Sequence, residues 1–158
     1  MPLERVLALD VGDRRIGLAI SDPLGLSARP LPTIDRQAHG EEAALSAILR
    51  CLEQELPDRL IVGDPRLPSG ERGEQSRLTD GFVDRLQTAL ARRFGSAAPP
   101  IERHDESNTT QAALERLTAR GMDPRLARES GRLDAEAAAI ILEEWLVARD
   151  GLRLPPPD

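Results

Sequence analysis

The sequence predicts an α/β fold in which helices cover a β-sheet of mixed strand direction. Three short apolar runs lie close together near the N-terminus and favour three consecutive strands: LERVLALDV, IGLAISD and ARPLPTI. Two later runs, DRLIVGD and PIERHDE, alternate with stretches of helical periodicity. Three meandering strands followed by alternating helices and strands are typical of a mixed α/β sheet.

The first three strands differ in their connections. Gly12 and Asp13 are turn residues between the first two runs, so we expect a hairpin there. The third run contains prolines, which lack the N–H group that a central strand donates. We therefore expect the third strand at an edge of the sheet.

Two helices are predicted in the middle of the chain. From about Glu41 to Glu55, apolar residues recur at helical spacing: Ala44, Leu45, Ile48, Leu49 and Leu52. The following run is expected to be a buried strand that ends at Gly63, and the loop DPRLPSGERG comes next. A long second helix then carries apolar residues every four positions, joined by Val83 and Phe94: Leu78, Phe82, Leu86 and Leu90.

The C-terminal third is expected to contain a central strand and two helices. PIERHDE is the strand, and Ser107, Asn108 or Thr109 can cap the helix after it. The stretch 119–132 contains Gly121, Pro124 and Gly131, which predicts a loop. Asp134 opens the last helix, whose inner face holds Ala138, Ile141, Leu142 and Trp145. We expect a single domain over residues 1–150 and a disordered tail over 151–158.

Bulk properties are those of an ordinary globular protein. The chain has 158 residues, of which 40% are hydrophobic and 30% charged. No apolar run approaches the roughly 20 residues that a spanning helix needs, and the N-terminus shows no secretory signal. Cys51 is the single cysteine, so an internal disulfide is impossible, and a half-buried structural thiol is expected. We therefore expect a cytoplasmic protein.

Charge gives mixed indications about nucleic acid. The net charge of -6 is unusual for a nucleic-acid binder. All 21 basic residues are arginine, however, and guanidinium groups bind phosphate oxygens in pairs. An acidic protein can still present a local basic rim.

The first candidate site is ALDVGDRRIGLAISD. Asp10 ends an apolar strand, which is unusual because Asp is depleted in strands. Gly12 and Gly17 would allow close approach of a backbone or a phosphate, and Arg14 and Arg15 lie beside the carboxylate. A carboxylate that holds a cation next to arginines suits phosphate chemistry. Simple turn chemistry is the alternative for Asp10, as is a solvated turn for the arginines.

The other candidate acids lie at HDESNTT and RLDAEAAAIILEEWL. Asp105 and Glu106 end a strand, and only one of them can face a site because side chains alternate. Asp134 is followed by small residues that allow close packing against the sheet, although a role in the first helical turn would also explain it. A lone strand histidine such as His104 is more often structural.

In this order, LALDVGDRRIGLAISD, LIVGDPRLPSGERG, HDESNTT and LDAEAAAIILEEWL resemble the YqgF/RuvX family of RNase H-like nucleases, from about Arg5 to Leu146. The resemblance implies an RNase H-like fold with a five-stranded sheet, three antiparallel strands and then two parallel ones. It also implies that Asp10, Glu106 and Asp134 are catalytic and bind Mg²⁺ or Mn²⁺. Family members are described as nucleases for the 5′ end of pre-16S ribosomal RNA or as Holliday junction resolvase-like enzymes, and the resemblance does not choose between them.

Two departures from the family pattern affect substrate contacts. Ser107 stands where the family usually has arginine, and Asp64 stands where an apolar residue is usual. Glu136 is not counted as a ligand, because residues two apart on a helix face different ways. Our candidates for phosphate contacts are Arg15, Arg66 and Arg72.

The expected mechanism is hydrolysis of a phosphodiester in structured nucleic acid by water activated on divalent metal. In a two-metal site the ions would lie about 3.5–4 Å apart, with Asp10 as the shared ligand. Whether RNA or branched DNA is cut, and whether the protein is a monomer or a homodimer, stays open at this stage.

Two other classes of function compete with a nuclease. ATP-binding proteins of similar fold repeat the domain, whereas 158 residues hold one copy, and no GK[ST] follows a glycine cluster. A non-catalytic RNA-binding ribosome or transcription factor is the second rival. An aromatic content of 2%, with no tyrosine, argues against base stacking as its main mode of binding.

Overall fold

A computed structural model describes residues 4–106 and 108–153, and over 151–153 it describes the backbone alone. Its strands are β1 (Val6–Val11), β2 (Arg15–Ser21), β3 (Ala28–Asp35), β4 (Arg59–Pro65) and β5 (Ile101–Glu106). Its helices are α1 (Arg36–His39), α2 (Glu41–Glu55), α3 (Glu74–Phe94), α4 (Thr109–Ala119), α5 (Pro124–Glu129) and α6 (Arg132–Arg153). A short 3-10 turn, Gly95–Ala97, follows α3.

The strands form one sheet in the order β3-β2-β1-β4-β5. β1 pairs antiparallel with β2, and β2 with β3, whereas β1 pairs parallel with β4, and β4 with β5. This confirms the predicted mixed sheet and the predicted edge position of proline-containing β3. The expectation that PIERHDE is a central strand is wrong, because β4 is the one strand among the described residues that pairs with β5, which forms the other edge.

The two faces of the sheet are covered by different helices. Leu7 and Leu9 of β1 belong to a core shared with α2 and α3, to which Phe82 and Leu86 contribute. Val6 and Ala8, which alternate with them, pack instead with residues of α6. Because Asp10 continues the second set, its side chain lies on the α6 face.

Helices α4 and α5 add a further layer outside α6. Their buried residues form a separate small core with the outer side of α6: Ala113, Leu117, Ala127, Leu133, Ala137 and Ile140. Helix α6 is thus apolar on two sides, and its alanines allow both neighbours to approach closely. None of the helices in the described ranges is long and apolar enough to cross a membrane.

Several local predictions need correction. The stretch 119–132 is not all loop, because Asp123 caps α5 and Pro124 occupies its first turn, where proline fits well. Leu78 is 54% exposed and is not part of the inner face of α3. Strand β4 continues two residues beyond Gly63, to Pro65.

The ends of the last helices also differ from expectation. Asn108 is the N-cap residue of α4, but its side chain makes no capping hydrogen bond. Helix α6 begins at Arg132, so Asp134 lies in its first turn rather than opening it. The helix continues to Arg153, so the predicted tail is helical over its first three residues. Residues 154–158 and Ser107 lie outside the described part of the chain.

Candidate active site

Three acidic residues from different parts of the sequence lie at one edge of the sheet. Asp10 is near the end of β1, Glu106 is the last residue of β5, and Asp134 lies in the first turn of α6. All three are partly buried. The carboxyl ends of the parallel strands β1, β4 and β5 meet at this edge, where ligands of α/β sheets usually bind. We call these three residues the acidic cluster.

Gly17 brings the start of α6 next to Asp10. It pairs with Asp10 across the β1–β2 ladder. A Cβ atom on Gly17 would lie 1.9 Å from the backbone oxygen of Asp134, a distance that no side chain could tolerate. The predicted close approach at Gly17 is therefore confirmed, and the approaching group is the backbone of α6.

Gly63 of β4 makes room for Glu106 in the same way. A Cβ atom there would lie 2.8 Å from Cδ1 of Ile141 and 3.0 Å from the carboxyl carbon of Glu106. The carboxyl group of Glu106 therefore lies over β4, on the face that Asp10 occupies. Because Gly17 and Gly63 have no side chains, the three residues of the acidic cluster can lie close together.

The environment of the acidic cluster disfavours negative charge. Burial, followed by repulsion from Glu106 and Asp134, raises the pKa of Asp10 well above its ordinary value of 3.8. Burial is also the main cause of the raised pKa of Glu106, although the Thr109 hydroxyl and His104 oppose the rise. For Asp134, burial raises the pKa and Arg15 opposes the rise. A cation at this position would relieve the repulsion.

The donor atoms suit a hard divalent ion. Oε2 of Glu106 is buried without a hydrogen-bond partner among the described residues, and carboxylate oxygens are preferred ligands of Mg²⁺ and Mn²⁺. No group of three His, Cys, Asp or Glu residues in ranges 4–106 and 108–153 is already arranged closely enough to hold a metal. The residues fit the ion chemically, and their carboxylates would have to converge further on binding.

Arg15 makes hydrogen bonds that stabilise the fold. Its Nη1 and Nη2 atoms donate to the backbone oxygens of Arg128 and Glu129, at 2.9 and 3.1 Å, and so tie β2 to the end of α5. The neighbouring Arg14 is largely exposed and lies 3.9 Å from a carboxylate oxygen of Asp35.

Arg66 and Arg72 belong to a second group of charges on the opposite face of β4 and β5. Nη2 of Arg66 lies 3.0 Å from Asp64 and 2.9 Å from Asp105. Arg72 forms a short hydrogen bond with Asp80 and also bonds the hydroxyl of Ser76. We call this group the paired cluster, and its charged members are Asp64, Asp80, Asp105, Arg66, Arg72 and Arg103.

Asp64 is the centre of the paired cluster and is only 3% exposed. Its Oδ1 accepts hydrogen bonds from the Ser76 hydroxyl at 2.5 Å and from Nη2 of Arg103 at 3.0 Å. Arg103 also pairs with Asp80. The sequence marked Asp64 only as a departure from the family pattern. Its partners could not be found from local spacing, because they come from α3 and β5.

The remaining candidates take separate places. Asp105 points away from the acidic cluster, as strand alternation requires if Glu106 faces it. Nε2 of His104 lies 3.3 Å from a carboxylate oxygen of Glu144. Glu136 is buried and pairs with Arg116 and Arg120, away from Asp134.

Solved structures share this fold. Thermus thermophilus RuvC in complex with a Holliday junction substrate has a TM-score of 0.55 at 20% identity, covering 94% of this chain and 96% of that chain. The fowlpox virus resolvase in complex with substrate Holliday junction DNA has a TM-score of 0.54 at 12% identity, covering 92% and 98%. The fold is RNase H-like, and with the relatives below it defines a nuclease of that class.

The chain belongs to the RuvX family, whose model, described as a Holliday junction resolvase, matches residues 4–148. A relative from Chloroflexus aurantiacus is 41% identical over 144 residues, covering 91% of this chain and 87% of the relative. One from Anaeromyxobacter sp. (strain K) is 39% identical over 145 residues, covering 92% and 98%. Both bear the name "Putative pre-16S rRNA nuclease".

Proposed function

We propose that this chain is a divalent-metal-dependent endonuclease that hydrolyses a phosphodiester at the 5′ end of pre-16S ribosomal RNA. The observation that carries the proposal is the acidic cluster, in which three carboxylates from β1, β5 and α6 share one sheet edge. Burial, followed by repulsion from the other two carboxylates, raises the pKa of Asp10. The names of relatives similar over nearly the whole chain support RNA as the substrate. Such an activity belongs in the cytoplasm.

Asp10, Glu106 and Asp134 are the residues that would hold Mg²⁺ or Mn²⁺. When bound, such an ion supplies a water nucleophile at neutral pH and stabilises the leaving oxygen. Asp10 is closest to the role of shared ligand, because both other acids act on its pKa. Raised pKa values mean that protons compete with the metal, so activity should increase with pH until all three groups are ionised.

The arginines near the site differ in how readily they could bind a substrate phosphate. Arg15 donates hydrogen bonds to two backbone carbonyls at the end of α5 and so fixes that helix end to β2. Arg66 and Arg72 border the loop after β4, and each already has carboxylate partners. The partner Asp105 is 74% exposed, so a substrate phosphate could displace it at little cost.

The second candidate function is cleavage of four-way DNA junctions. It is favoured by the description of the family model. A symmetric junction would require two active sites aligned by a homodimer. RNA-end processing has no such requirement.

The test is cleavage by the full chain with Mg²⁺ or Mn²⁺, using a labelled pre-16S 5′ leader, a four-way DNA junction and duplex DNA. We expect site-specific cutting of the leader and loss of that cutting in Asp10→Asn. The matched control is Asp84→Asn, the same change at an exposed position on α3, which should cut as wild type does.

The other outcomes separate the rival functions. Symmetric nicking of the junction alone would replace the RNA assignment with a resolvase. Binding of the leader that is unaffected by metal and by Asp10→Asn, with no cleavage, would favour a non-catalytic RNA-binding protein.

A further inference from the structure

A cavity of about 340 Å³ opens beside Glu106. It lies between the ends of β4 and β5 and the start of α4, and Arg66, Asn108, Thr109 and Thr110 line it. Its volume is at the lower end of the roughly 300–1,000 Å³ typical of ligand sites. Glu106 forms part of its wall, so the cavity adjoins the acidic cluster.

The start of α4 presents donors to this cavity. The first N–H groups of a helix have no partner within it, and the first helical bond of α4 runs from the N–H of Ala112 to the oxygen of Asn108. Asn108 has a φ of +58°, and in the described part of the chain its side chain caps none of these groups. The N–H groups at this end, together with the helix dipole, therefore favour an anion.

Thr109 supplies an independent indication of a ligand. The residue is 5% exposed and lines the cavity. Its Oγ1 atom is buried without a well-formed hydrogen bond in the described residues, although it lies close enough to Glu106 to lower the pKa of that carboxyl group. Buried hydroxyls are usually hydrogen-bonded, so an additional partner is expected here.

Arg66 is the positively charged residue in the lining of the cavity. Its backbone N–H bonds the backbone oxygen of Glu106 at 3.1 Å, which fixes the residue to the end of β5. Its Nη2 forms an ion pair with a carboxylate oxygen of Asp64 at 3.0 Å, while Nε is buried without a partner among the described residues. The second oxygen of Asp64 is taken by Ser76 and Arg103, so this buried carboxylate holds Arg66 in one position.

We propose that the cavity binds a backbone phosphate of the substrate strand next to the phosphate that is cut, with Arg66 and the start of α4 as its ligands. Asp64 is a positioning residue that aims Arg66. The proposal rests on the proposed nuclease function. Because Glu106 and Asp105 would repel a free anion, the ligand is a phosphodiester of a bound strand rather than inorganic phosphate.

The test compares Arg66→Gln with Arg93→Gln in the Asp10→Asn background, which allows binding without cleavage. Arg93 pairs with Glu53 at the far end of α3 and loses the same charge. Binding of the labelled leader is measured by fluorescence anisotropy over a range of salt concentrations. Loss of one phosphate contact should lower the slope of log affinity against log salt by about 0.7–0.9 in Arg66→Gln. It should also weaken binding roughly tenfold, while Arg93→Gln should change neither quantity.

The positioning role is tested by combining variants. Asp64→Asn should weaken binding in the same direction, and the double variant with Arg66→Gln should be no weaker than Arg66→Gln alone. If Asp64→Asn does not fold, Asp64→Glu, which keeps the charge but displaces the carboxylate, serves instead with the same expectation. Asp105→Asn tests the competition for Arg66. It removes an exposed competitor and should tighten binding only when Arg66 is present.

Equal salt slopes for Arg66→Gln and Arg93→Gln would overturn the phosphate site. Additive effects of Asp64→Asn and Arg66→Gln would overturn the positioning role. An effect of Asp105→Asn that does not depend on Arg66 would count against Arg66 as a ligand of the phosphate. Cleavage by the wild-type chain, and its loss in Asp10→Asn, report on the nuclease function separately. The two proposals can therefore fail independently.

Discussion

The acidic residues on the two faces of the sheet differ in whether they have positively charged partners. On the α6 face, the acidic cluster holds three carboxylates whose pKa values are raised, and Oε2 of Glu106 has no described partner. On the α3 face, Asp64, Asp80 and Asp105 of the paired cluster each bond an arginine. Adjacent residues of one strand, Asp105 and Glu106, belong to different clusters.

Under the proposed function, the difference separates charges that stabilise the fold from charges that take part in the reaction. A buried carboxylate that has arginine and hydroxyl partners adds order to the fold, and its removal leaves those partners unsatisfied. Carboxylates that repel one another destabilise the fold unless a ligand compensates, which is why a strongly perturbed acidic group is a candidate for a functional site.

The largest contrast should appear in catalysis. Glu106→Gln should lower the rate of leader cleavage by about 10³-fold, equivalent to about 4 kcal/mol, because one of the proposed metal-binding oxygens is lost. Asp80→Asn should keep kcat within about threefold, since Asp80 touches arginines rather than the reaction site. Single-turnover cleavage rates measure both. Equal losses in the two variants would abolish the distinction between the clusters.

The next contrast concerns stability. Asp64→Ala should lower the free energy of unfolding by about 3–5 kcal/mol, because it removes a buried carboxylate that pairs with Arg66 and Arg103 and accepts from the buried Ser76 hydroxyl. Asp10→Asn should raise it in metal-free protein, because it removes a buried charge that is repelled by its neighbours. Urea denaturation of both variants is the measurement. A stabilised Asp64→Ala protein would show that the paired cluster does not contribute to stability.

Sequence reasoning predicted the acidic cluster better than the paired cluster, for a physical reason. Asp10 is an acidic residue at the end of an apolar strand, so the neighbouring sequence is enough to mark it as unusual. Asp64 becomes meaningful only through the register of β4 with β5 and the packing of α3, which bring Arg103 and Ser76 to it. Pairing across distant segments leaves no local signal.

Secondary structure shows the same limit. The bounds of α2 were predicted well, because five apolar residues repeat at helical spacing over Glu41–Glu55. Helix α5 is missed, since Gly121, Pro124 and Gly131 predict a loop, although Pro124 follows the cap residue Asp123 and lies in the first turn of a short helix. The edge position of β5 depends on which strands pair, and periodicity does not contain that information.

A third prediction tests the packing that brings Asp134 to Asp10. Gly17→Ala should destabilise the fold by roughly 3 kcal/mol or more, since its Cβ would overlap the backbone of Asp134 and overpacking is costly even in softer places. It should also impair cleavage. The control is Gly81→Ala in α3, where the nearest atom is 3.5 Å away at the end of Arg85. That change should be neutral or stabilise by about 0.5–1 kcal/mol. Normal cleavage by a stable Gly17→Ala protein would show that the position of Asp134 is unimportant.

The smallest expected effect is a dependence of stability on pH. Because the folded pKa of Asp10 lies above its ordinary value of 3.8, the folded state holds more protons than the unfolded state above about pH 4. The free energy of unfolding therefore falls as pH rises from there toward the raised pKa. Asp22 and Asp35, whose pKa values are lowered by backbone hydrogen bonds, act with the opposite sign and only below about pH 4.

Thermal melts of metal-free protein between about pH 5 and pH 8 should thus show Tm decreasing with pH in the wild type and less in Asp10→Asn. A difference of about 2–4 °C corresponds to about 1 kcal/mol in a chain of this size. Added Mg²⁺ should restore Tm at the high-pH end in the wild type, because the ion binds the ionised carboxylates of the folded state. The contrary result is that Tm depends on pH in the same way in the wild type and in Asp10→Asn, both without and with Mg²⁺. It would mean that repulsion within the acidic cluster is too weak for a bound cation to stabilise the fold.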